Sequence, residues 1–288
     1  MTFPAMELSD LRIFLAVARE QSITRAAQAL DRVPSNVSTR IQQLEAALGV
    51  ALFERPARRM RLSPAGQTLA GYASRLLDLA EQAHQAVASP APAGRLRLGA
   101  MESSAASRLP APLARLHACW PALELQLRTG TSRFLADAVR SHALDCAIVA
   151  HPQAARADHV RALGEDLDGD YLHSEELLLL QAQPQHSPRT LATFARGCAY
   201  RERAEQWLRQ QGEDLAGWQI LELGSYHAIL ACVLAGSAVA VLPRSVWALH
   251  ASAAHLSSRV IGPAHCFLIR RKGQDSANIQ ALLDALRA

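Results

Sequence analysis

The chain has 288 residues, half of them hydrophobic, with a formal net charge of +4 and a mean hydropathy of +0.01. This length and balance predict a folded protein of roughly two or three domains, and no apolar run reaches the ~20 residues of a membrane-spanning helix. Charged residues near the start argue against a signal peptide, and five scattered cysteines without C-x-x-C spacing predict reduced thiols in the cytoplasm.

The first predicted elements are three short helices. Apolar side chains recur at helical spacing over residues 8–18, and residues 22–45 then predict two helices joined by a tight turn. Ser22 or Thr24 is a suitable N-cap for the second helix, and Pro34 suits the first position of the third helix. The three segments together predict a small helical bundle that contains a helix-turn-helix.

The third helix has one apolar face and one polar face. Val37, Ile41 and Leu44 form the apolar face. Short polar side chains near a helix N-terminus reach base edges in the major groove, so we expect the other face to bind DNA; the alternative is an ordinary solvated face. The candidate side chains are Ser35, Asn36, Ser38, Thr39 and Gln42.

An arginine-rich segment follows Gly49, which is suited to ending the third helix. Leu52 and Phe53 are apolar anchors, and apolar and basic residues alternate over 60–62, which predicts a short β-ribbon. Such a wing suits phosphates or the minor groove. We expect four arginines to hold phosphates, namely Arg40, Arg55, Arg58 and Arg59. The alternative is that one or two of them are ordinary surface charges.

A long helix is predicted from Pro64 to about Ala88, and it would be ~36 Å long. One side of it is apolar, and a lone helix with such a side needs a partner, so we expect pairing within a dimer. The apolar positions are Leu69, Tyr72, Leu76, Leu79, Ala80, Ala83 and Val87. The composition of residues 89–94, rich in proline and alanine, predicts a linker.

From Arg95 onward, predicted strands and helices alternate with short connections, which indicates a parallel sheet. A late strand at 265–271 and a closing helix at 276–288 return the chain to its first half. This order suggests two α/β lobes around a cleft. Open α/β sheets bind ligands beyond the carboxyl ends of their strands.

Hydroxyl side chains follow the first two strands of this region. Ser103 and Ser104 precede a helix, and Thr129, Thr131 and Ser132 end the second strand. Hydroxyls and free N–H groups at such positions favour a carboxylate, while ordinary helix capping is the alternative.

The second lobe offers further candidates for the cleft. Tyr200 would line the ligand, and Arg201 would pair with an anionic group. Arg201 could instead bind a neighbouring glutamate. Ser225 and Tyr226 begin a helix after another strand and would face the same cleft.

Three segments, AAQAL, PSNVSTRIQQLEAALGVALFER and RLSPAG, resemble the LysR-type transcriptional regulators. The resemblance runs in order over the whole chain and places Pro34, Ser35, Ser38 and Thr39 at the base-reading positions. Val33 stands where the family commonly has a Thr or Ser cap, and Ser63 replaces the usual Thr.

The resemblance implies an α+β multi-domain fold with three parts. These are a winged helix-turn-helix DNA-binding domain at 1–65, a linker (dimerisation) helix and hinge at 66–94, and an effector-binding domain at 95–288. The last part would be a two-lobed α/β domain like a periplasmic binding protein, with lobe I at about 95–162 and 265–288 and lobe II at about 163–264.

The implied function is a cytoplasmic regulator that binds double-stranded promoter DNA as a homodimer or dimer of dimers. A small anionic metabolite between the lobes would modulate that binding, RNA polymerase is a further implied partner, and no membrane, cofactor or metal is expected. One alternative is a thiol-based redox regulator that uses Cys198 and/or Cys232. Another is a ligand-binding or enzymatic α/β domain with an accessory DNA-binding domain, although no catalytic motif stands out.

Overall fold

The computed structural model describes residues 6–54, 60–88, 91–151, 164–182, 188–250, 253 and 255–288. The chain divides into two compact units, Met1–Ala88 and Ser89–Ala288. Within the described ranges, none of the helices combines the length and the apolar character needed to cross a lipid bilayer.

The first unit is a helical bundle with a two-stranded ribbon, as the sequence predicts. Its elements are α1 (Leu8–Glu20), α2 (Ile23–Ala29), α3 (Pro34–Leu48), β1 (Phe53–Glu54), β2 (Arg61–Leu62) and α4 (Pro64–Ala88). The side chain of Ser22 caps α2 by accepting a hydrogen bond from the Arg25 backbone N–H, and Gly49 ends α3 with a φ of 68°. Phe14 packs against Phe53 with ring centroids 5.4 Å apart, which joins α1 to the ribbon.

Ser63 and Gly66 hold the start of α4 against the residues that lead into β1. The Ser63 hydroxyl donates to the Ala51 carbonyl at 2.7 Å and accepts from the Gly66 N–H at 3.0 Å. A Cβ at position 66 would lie 2.1 Å from the Leu52 carbonyl oxygen, so only glycine fits there. The change from the family's threonine to Ser63 therefore keeps the capping hydroxyl.

The predicted apolar stripe of α4 divides into two parts. Leu69 packs against the core of the first unit, which also contains Ala73, a residue outside the predicted stripe. Tyr72 and Leu76 are exposed, as are Leu79 at 62% and Val87 at 90% of their surface. This outer part of the stripe is thus uncovered in the single chain.

The second unit is built on one eight-stranded sheet, in the order β4-β3-β5-β10-β6-β9-β7-β8. The elements of its first half are β3 (Gly94–Ala100), α5 (Glu102–Ser107), α6 (Pro110–Cys119), β4 (Leu123–Thr129), α7 (Ser132–Arg140) and β5 (Cys146–His151). Those of its second half are β6 (Leu167–Gln181), β7 (Thr190–Thr193), α8 (Ala199–Gln210), a 3-10 turn (Leu215–Gly217), β8 (Gln219–Glu222), α9 (Tyr226–Leu234), β9 (Val239–Pro243), α10 (Arg244–Trp247), β10 (Ser257–Arg271) and α11 (Ala277–Arg287).

Two groups of parallel strands form the two lobes. β3 runs parallel to β4 and β5, which confirms the predicted parallel sheet, and β7 runs parallel to β8 and β9. The antiparallel strands β6 and β10, 15 residues each, join the groups: β10 pairs with β5, and β6 pairs with β9. Both lobes therefore share one hydrogen-bonded sheet.

Several boundaries differ from those that the sequence predicts. The strand predicted at 265–271 is the end of the much longer β10. Its first part, residues 257–264, mixes three polar residues with Gly262 and Pro263, so hydropathy alone does not mark it. Ser103 and Ser104 lie inside the short helix α5 rather than before a helix, and Cys198 is the N-cap of α8.

A buried carboxylate sits where α5 meets the joining strands. Glu175 on β6 is 4% exposed, and its Oε1 accepts from Arg108 Nε at 2.7 Å and lies 3.3 Å from His173 Nε2. Burial acts to raise the pKa of Glu175, but hydrogen bonds from His173, Arg108 and Ser245 outweigh it and hold the pKa at about 2. Glu175 is therefore an ionised anchor between the lobes.

Candidate functional site

The predicted DNA-binding face of α3 lies on the surface of the first unit. Val37, Ile41 and Leu44 are buried and fix the orientation of the helix. Ser38 is half-buried, and the remaining candidates on this face are exposed, namely Pro34, Ser35, Asn36, Thr39 and Gln42.

The N-terminus of α3 has donors that suit a polyanion. Its N-cap residue, Val33, makes no side-chain cap, and Pro34 has no N–H. The Asn36 N–H donates to the Val33 carbonyl at 3.1 Å, which leaves the Ser35 N–H for an anion. Arg32, a residue that the sequence analysis did not select, places its Nη1 3.2 Å from Asn36 Oδ1. A helix N-terminus beside a guanidinium attracts phosphate.

The arginines expected on phosphates have different outcomes. Arg40 Nη1 lies 3.3 Å from Asp10 Oδ1 and 3.7 Å from Glu7 Oε2, so its charge is already paired with the start of α1. The buried carboxylate of Asp10 needs this counter-charge, and a phosphate contact by Arg40 stays a prediction. The other three, Arg55, Arg58 and Arg59, lie outside the described residues.

A cavity of about 220 Å³ opens between the two lobes of the second unit. It lies at the carboxyl ends of β3, β4, β7 and β8, where parallel sheets bind ligands. The lining residues are Met101, Glu102, Ser103, Thr129, Gly130, Thr131, Ser132, Phe194, Ala195, Cys198, Tyr200, Leu223, Gly224 and Tyr226. Four separate turns of the chain therefore build one site.

Six of the nine predicted ligand residues line this cavity, namely Ser103, Thr129, Thr131, Ser132, Tyr200 and Tyr226. Ser104 is buried within α5 and is not part of the lining. Ser225 is also outside the lining, because its side chain caps α9 by accepting from the Ala228 N–H at 3.2 Å.

The expected pairing of Arg201 with an anionic ligand is corrected by the structure. Arg201 is 5% exposed and does not line the cavity. Its Nε donates to Glu205 Oε1 at 2.8 Å, and its Nη1 donates to Glu222 and to the Phe194 carbonyl. The Arg201 guanidinium therefore holds α8 to β8. This is the salt-bridge alternative that the sequence left open.

Several hydroxyl groups of the cavity are held by hydrogen bonds within the protein. Ser103 Oγ lies 3.4 Å from Tyr200 Oη, and Ser132 Oγ accepts from the Ala150 N–H at 3.2 Å. Burial raises the pKa of both Tyr200 and Tyr226 well above the ordinary value, so both keep their protons. The cavity therefore offers neutral hydrogen-bond donors.

The N-termini of three helices also point to this region. α7, α8 and α9 begin at Ser132, Ala199 and Tyr226, each at or next to a lining residue. Their partial positive ends favour negative charge on a ligand even without a cationic side chain. Among the described lining residues there is no Arg, Lys or His.

Glu102 is the functional candidate that sequence reasoning missed. It is the one carboxyl group among the described lining residues, and it follows β3 directly, beside the serines that were selected. Burial raises the pKa of Glu102, against a hydrogen bond from the Tyr226 N–H and the attraction of His250. The available signal was its position, since Glu102 lies between the carboxyl end of β3 and Ser103.

The two cysteines considered for redox sensing differ in environment. Cys198 lines the cavity, and burial raises its pKa despite hydrogen bonds from the Arg201 and Tyr200 N–H groups. Cys232 is partly exposed on α9. A raised pKa disfavours the reactive thiolate. In the part of the chain that the structure describes, no group of three or more His, Cys, Asp or Glu side chains could hold a metal ion.

A helix-turn-helix unit followed by a two-lobed sheet with a cleft is the architecture of a DNA-binding transcriptional regulator. Two family models match the chain. Residues 8–67 match the family described as bacterial regulatory helix-turn-helix protein, lysR family, and residues 89–288 match the family described as LysR substrate binding domain. The chain belongs to the LysR family of transcriptional regulators.

Curated relatives and solved structures agree with this family. The HTH-type transcriptional regulator YusT of Bacillus subtilis is 38% identical over 255 residues, 85% of this chain and 81% of the relative. GltR of the same species is 34% identical over 280 residues, 93% of this chain and 91% of the relative. The structure of full-length CbnR complexed with its target DNA has a TM-score of 0.67 at 21% identity, covering 98% of this chain and 99% of that one.

Proposed function

We propose that this regulator reads promoter DNA with the exposed face of α3 and that a small carboxylate-bearing metabolite in the lobe cleft modulates the binding. The observation that carries the first part is the polar, uncapped N-terminus of α3 above a fully buried apolar face. Its relatives are named as transcriptional regulators, and we propose action by binding rather than by catalysis. Promoter DNA would place that action in the cytoplasm.

The DNA contacts are tested by gel retardation with the region upstream of the protein's own gene. Ser38→Ala combined with Thr39→Ala should weaken specific binding at least tenfold, because base-edge hydrogen bonds are lost. Thr68→Ala, an exposed threonine on α4, is the matched control and should leave binding unchanged. Failure of the wild-type protein to bind this region above nonspecific DNA would remove the proposal.

We further propose a homodimer, or a dimer of dimers, formed through the outer stripe of α4. Three of its large apolar side chains, Tyr72, Leu79 and Val87, are exposed on a helix of 25 residues. Burying such a stripe against a second copy removes apolar surface from water. Leu79→Glu should give a monomer by light scattering, whereas Gln67→Glu, in the first turn of the same helix, should leave the dimer intact. Contact with RNA polymerase stays a prediction.

The ligand part of the proposal rests on the cavity, its hydroxyls and the helix N-termini around it. A volume of about 220 Å³ is below the roughly 300 Å³ at which pockets for drug-sized ligands begin, which favours a small metabolite. The thiol-based alternative receives less support, because burial raises the pKa of Cys198. A Cys198→Ser variant that lost a peroxide response on DNA would favour that alternative.

A further inference from the structure

The charge inside the cleft is the opposite of what a simple anion-binding site needs. The described lining holds one carboxyl group, that of Glu102, and no basic side chain. Two basic side chains lie outside this lining: Arg201 is held by Glu205 and Glu222, and His250 attracts the Glu102 carboxyl group. A ligand with only negative groups would therefore meet Glu102 without a basic side chain in the described lining.

Glu102 also has an unused acceptor. The Tyr226 N–H at the start of α9 hydrogen bonds to the Glu102 carboxyl group. Its Oε2 is buried and has no hydrogen-bond partner among the described residues. Because a buried polar atom without a partner is unfavourable, a donor bound at this carboxyl group would stabilise it.

The rest of the cavity lining has two further features. Ser103, Thr131 and Ser132 line the cavity, and Thr131 and Ser132 stand at the N-terminus of α7, where a carboxylate is stabilised. Phe194 and Leu223 add apolar surface from the second lobe. An acceptor, a group of donors and an apolar wall within one small cavity match the three parts of an α-amino acid.

We propose that the effector carries a protonated amino group which binds the Glu102 carboxylate, as in a small α-amino acid whose carboxylate rests on the hydroxyls near α7. This rests on the proposed function and names its ligand class. An ammonium group would pair with the Glu102 carboxyl group and supply a positive charge that the described lining lacks. An incoming cation also favours the ionised form of Glu102, which burial alone disfavours.

The experiment compares amino acids with the same carboxylates lacking the amino group, on the full-length protein. The probes are the twenty common amino acids and matched acids, including propionate for alanine, 3-phenylpropionate for phenylalanine and glutarate for glutamate. Thermal shift identifies a binder, and calorimetry gives its Kd. We expect at least one amino acid to raise Tm and its deaminated partner to bind at least tenfold more weakly.

Two variants test the role of Glu102 directly. Glu102→Gln keeps an oxygen for the Tyr226 N–H but removes the charge, so the Kd of the amino acid should rise at least tenfold while that of the deaminated acid stays constant or falls. Glu124→Gln, an exposed glutamate on β4 outside the lining, is the matched control and should change neither. Far-ultraviolet circular dichroism checks that both variants are folded.

The outcomes separate this inference from the proposed function. Equal binding of the two members of each pair, unchanged amino-acid affinity in Glu102→Gln, or no binding by any amino acid would each overturn the amino-group site. In all three cases retardation of the upstream DNA by the wild-type protein would still support the regulator. Absence of specific retardation would instead count against the proposed function, whatever the amino acids do.

Discussion

The α3 surface and the lobe cleft solve the problem of recognition in different ways. The α3 surface is one exposed helix face with Arg32 beside it, and its geometry depends on three buried side chains beneath it. The cleft is assembled from four turns of two lobes, and its only charge among the described lining residues is acidic. A contiguous surface suits a large polyanion, whereas a distributed one makes ligand binding depend on how the lobes are held.

The largest expected effect separates the two regions by damaging the second alone. Glu175→Gln should destabilise the second unit by about 3 kcal/mol, because Arg108 and His173 lose the buried carboxylate that they contact. Chemical denaturation followed by the tryptophans, which all lie in the second unit, measures the loss. Glu124→Gln is the control; an unchanged midpoint for Glu175→Gln would show that this network contributes no stability.

The same group gives a pH dependence with a defined sign. The pKa of Glu175 falls from 4.5 to about 2 on folding, so its stabilisation is complete above pH 4.5 and is lost as the pH falls towards 2. The difference in unfolding free energy between the wild type and Glu175→Gln should therefore be constant near neutrality and shrink below pH 4.5. Denaturation curves of both proteins across this range measure it, and a difference independent of pH would contradict the assignment.

The next effect damages the first unit alone. Gly66→Ala should destabilise it by about 2 kcal/mol, because the new Cβ would lie 2.1 Å from the Leu52 carbonyl oxygen. Gly71→Ala on the same helix has no atom within 4 Å of the new Cβ and should stabilise α4 by up to about 1 kcal/mol. Amide hydrogen exchange in α1 and α3 reports the change, and equal exchange in the two variants would contradict it.

The smallest effect concerns the α3 surface without loss of stability. Thr39→Glu adds a negative charge to an exposed position, so specific DNA binding should weaken at least tenfold, about 1.4 kcal/mol. The thermal response to an amino-acid ligand should not change. Fluorescence anisotropy of a labelled promoter fragment measures the first quantity, and wild-type affinity would show that this face is not at the DNA.

Local signals made the first unit predictable from its sequence. The capping by Ser22, the end of α3 at Gly49 and the face with Val37 depend on neighbours within a few residues. The hydroxyl positions of the cleft were also predictable, because they directly follow strands whose apolar pattern is clear. Ser103 and Ser132 are examples that do line the cavity.

Other features depended on contacts between distant segments. Arg201 could meet either a ligand or a glutamate, and the outcome was decided by Glu222, 21 positions away on β8. The length of β6 was hidden because its first half carries polar residues that pair with β10. Register between remote strands leaves no local trace in hydropathy.

The sharing of β6 and β10 by both lobes has a mechanical consequence. No loop hinge is needed to connect lobe I to lobe II through these strands, since the ladder is continuous except for irregularities at Val260/Gly262 and Cys266/Phe267. A change in the angle between the lobes would then bend these two strands, and we expect the bending to concentrate at those irregularities. Part of the ligand-binding free energy would be used to bend the strands. A small bend near Cys266 would produce larger displacements at the far edges of the sheet.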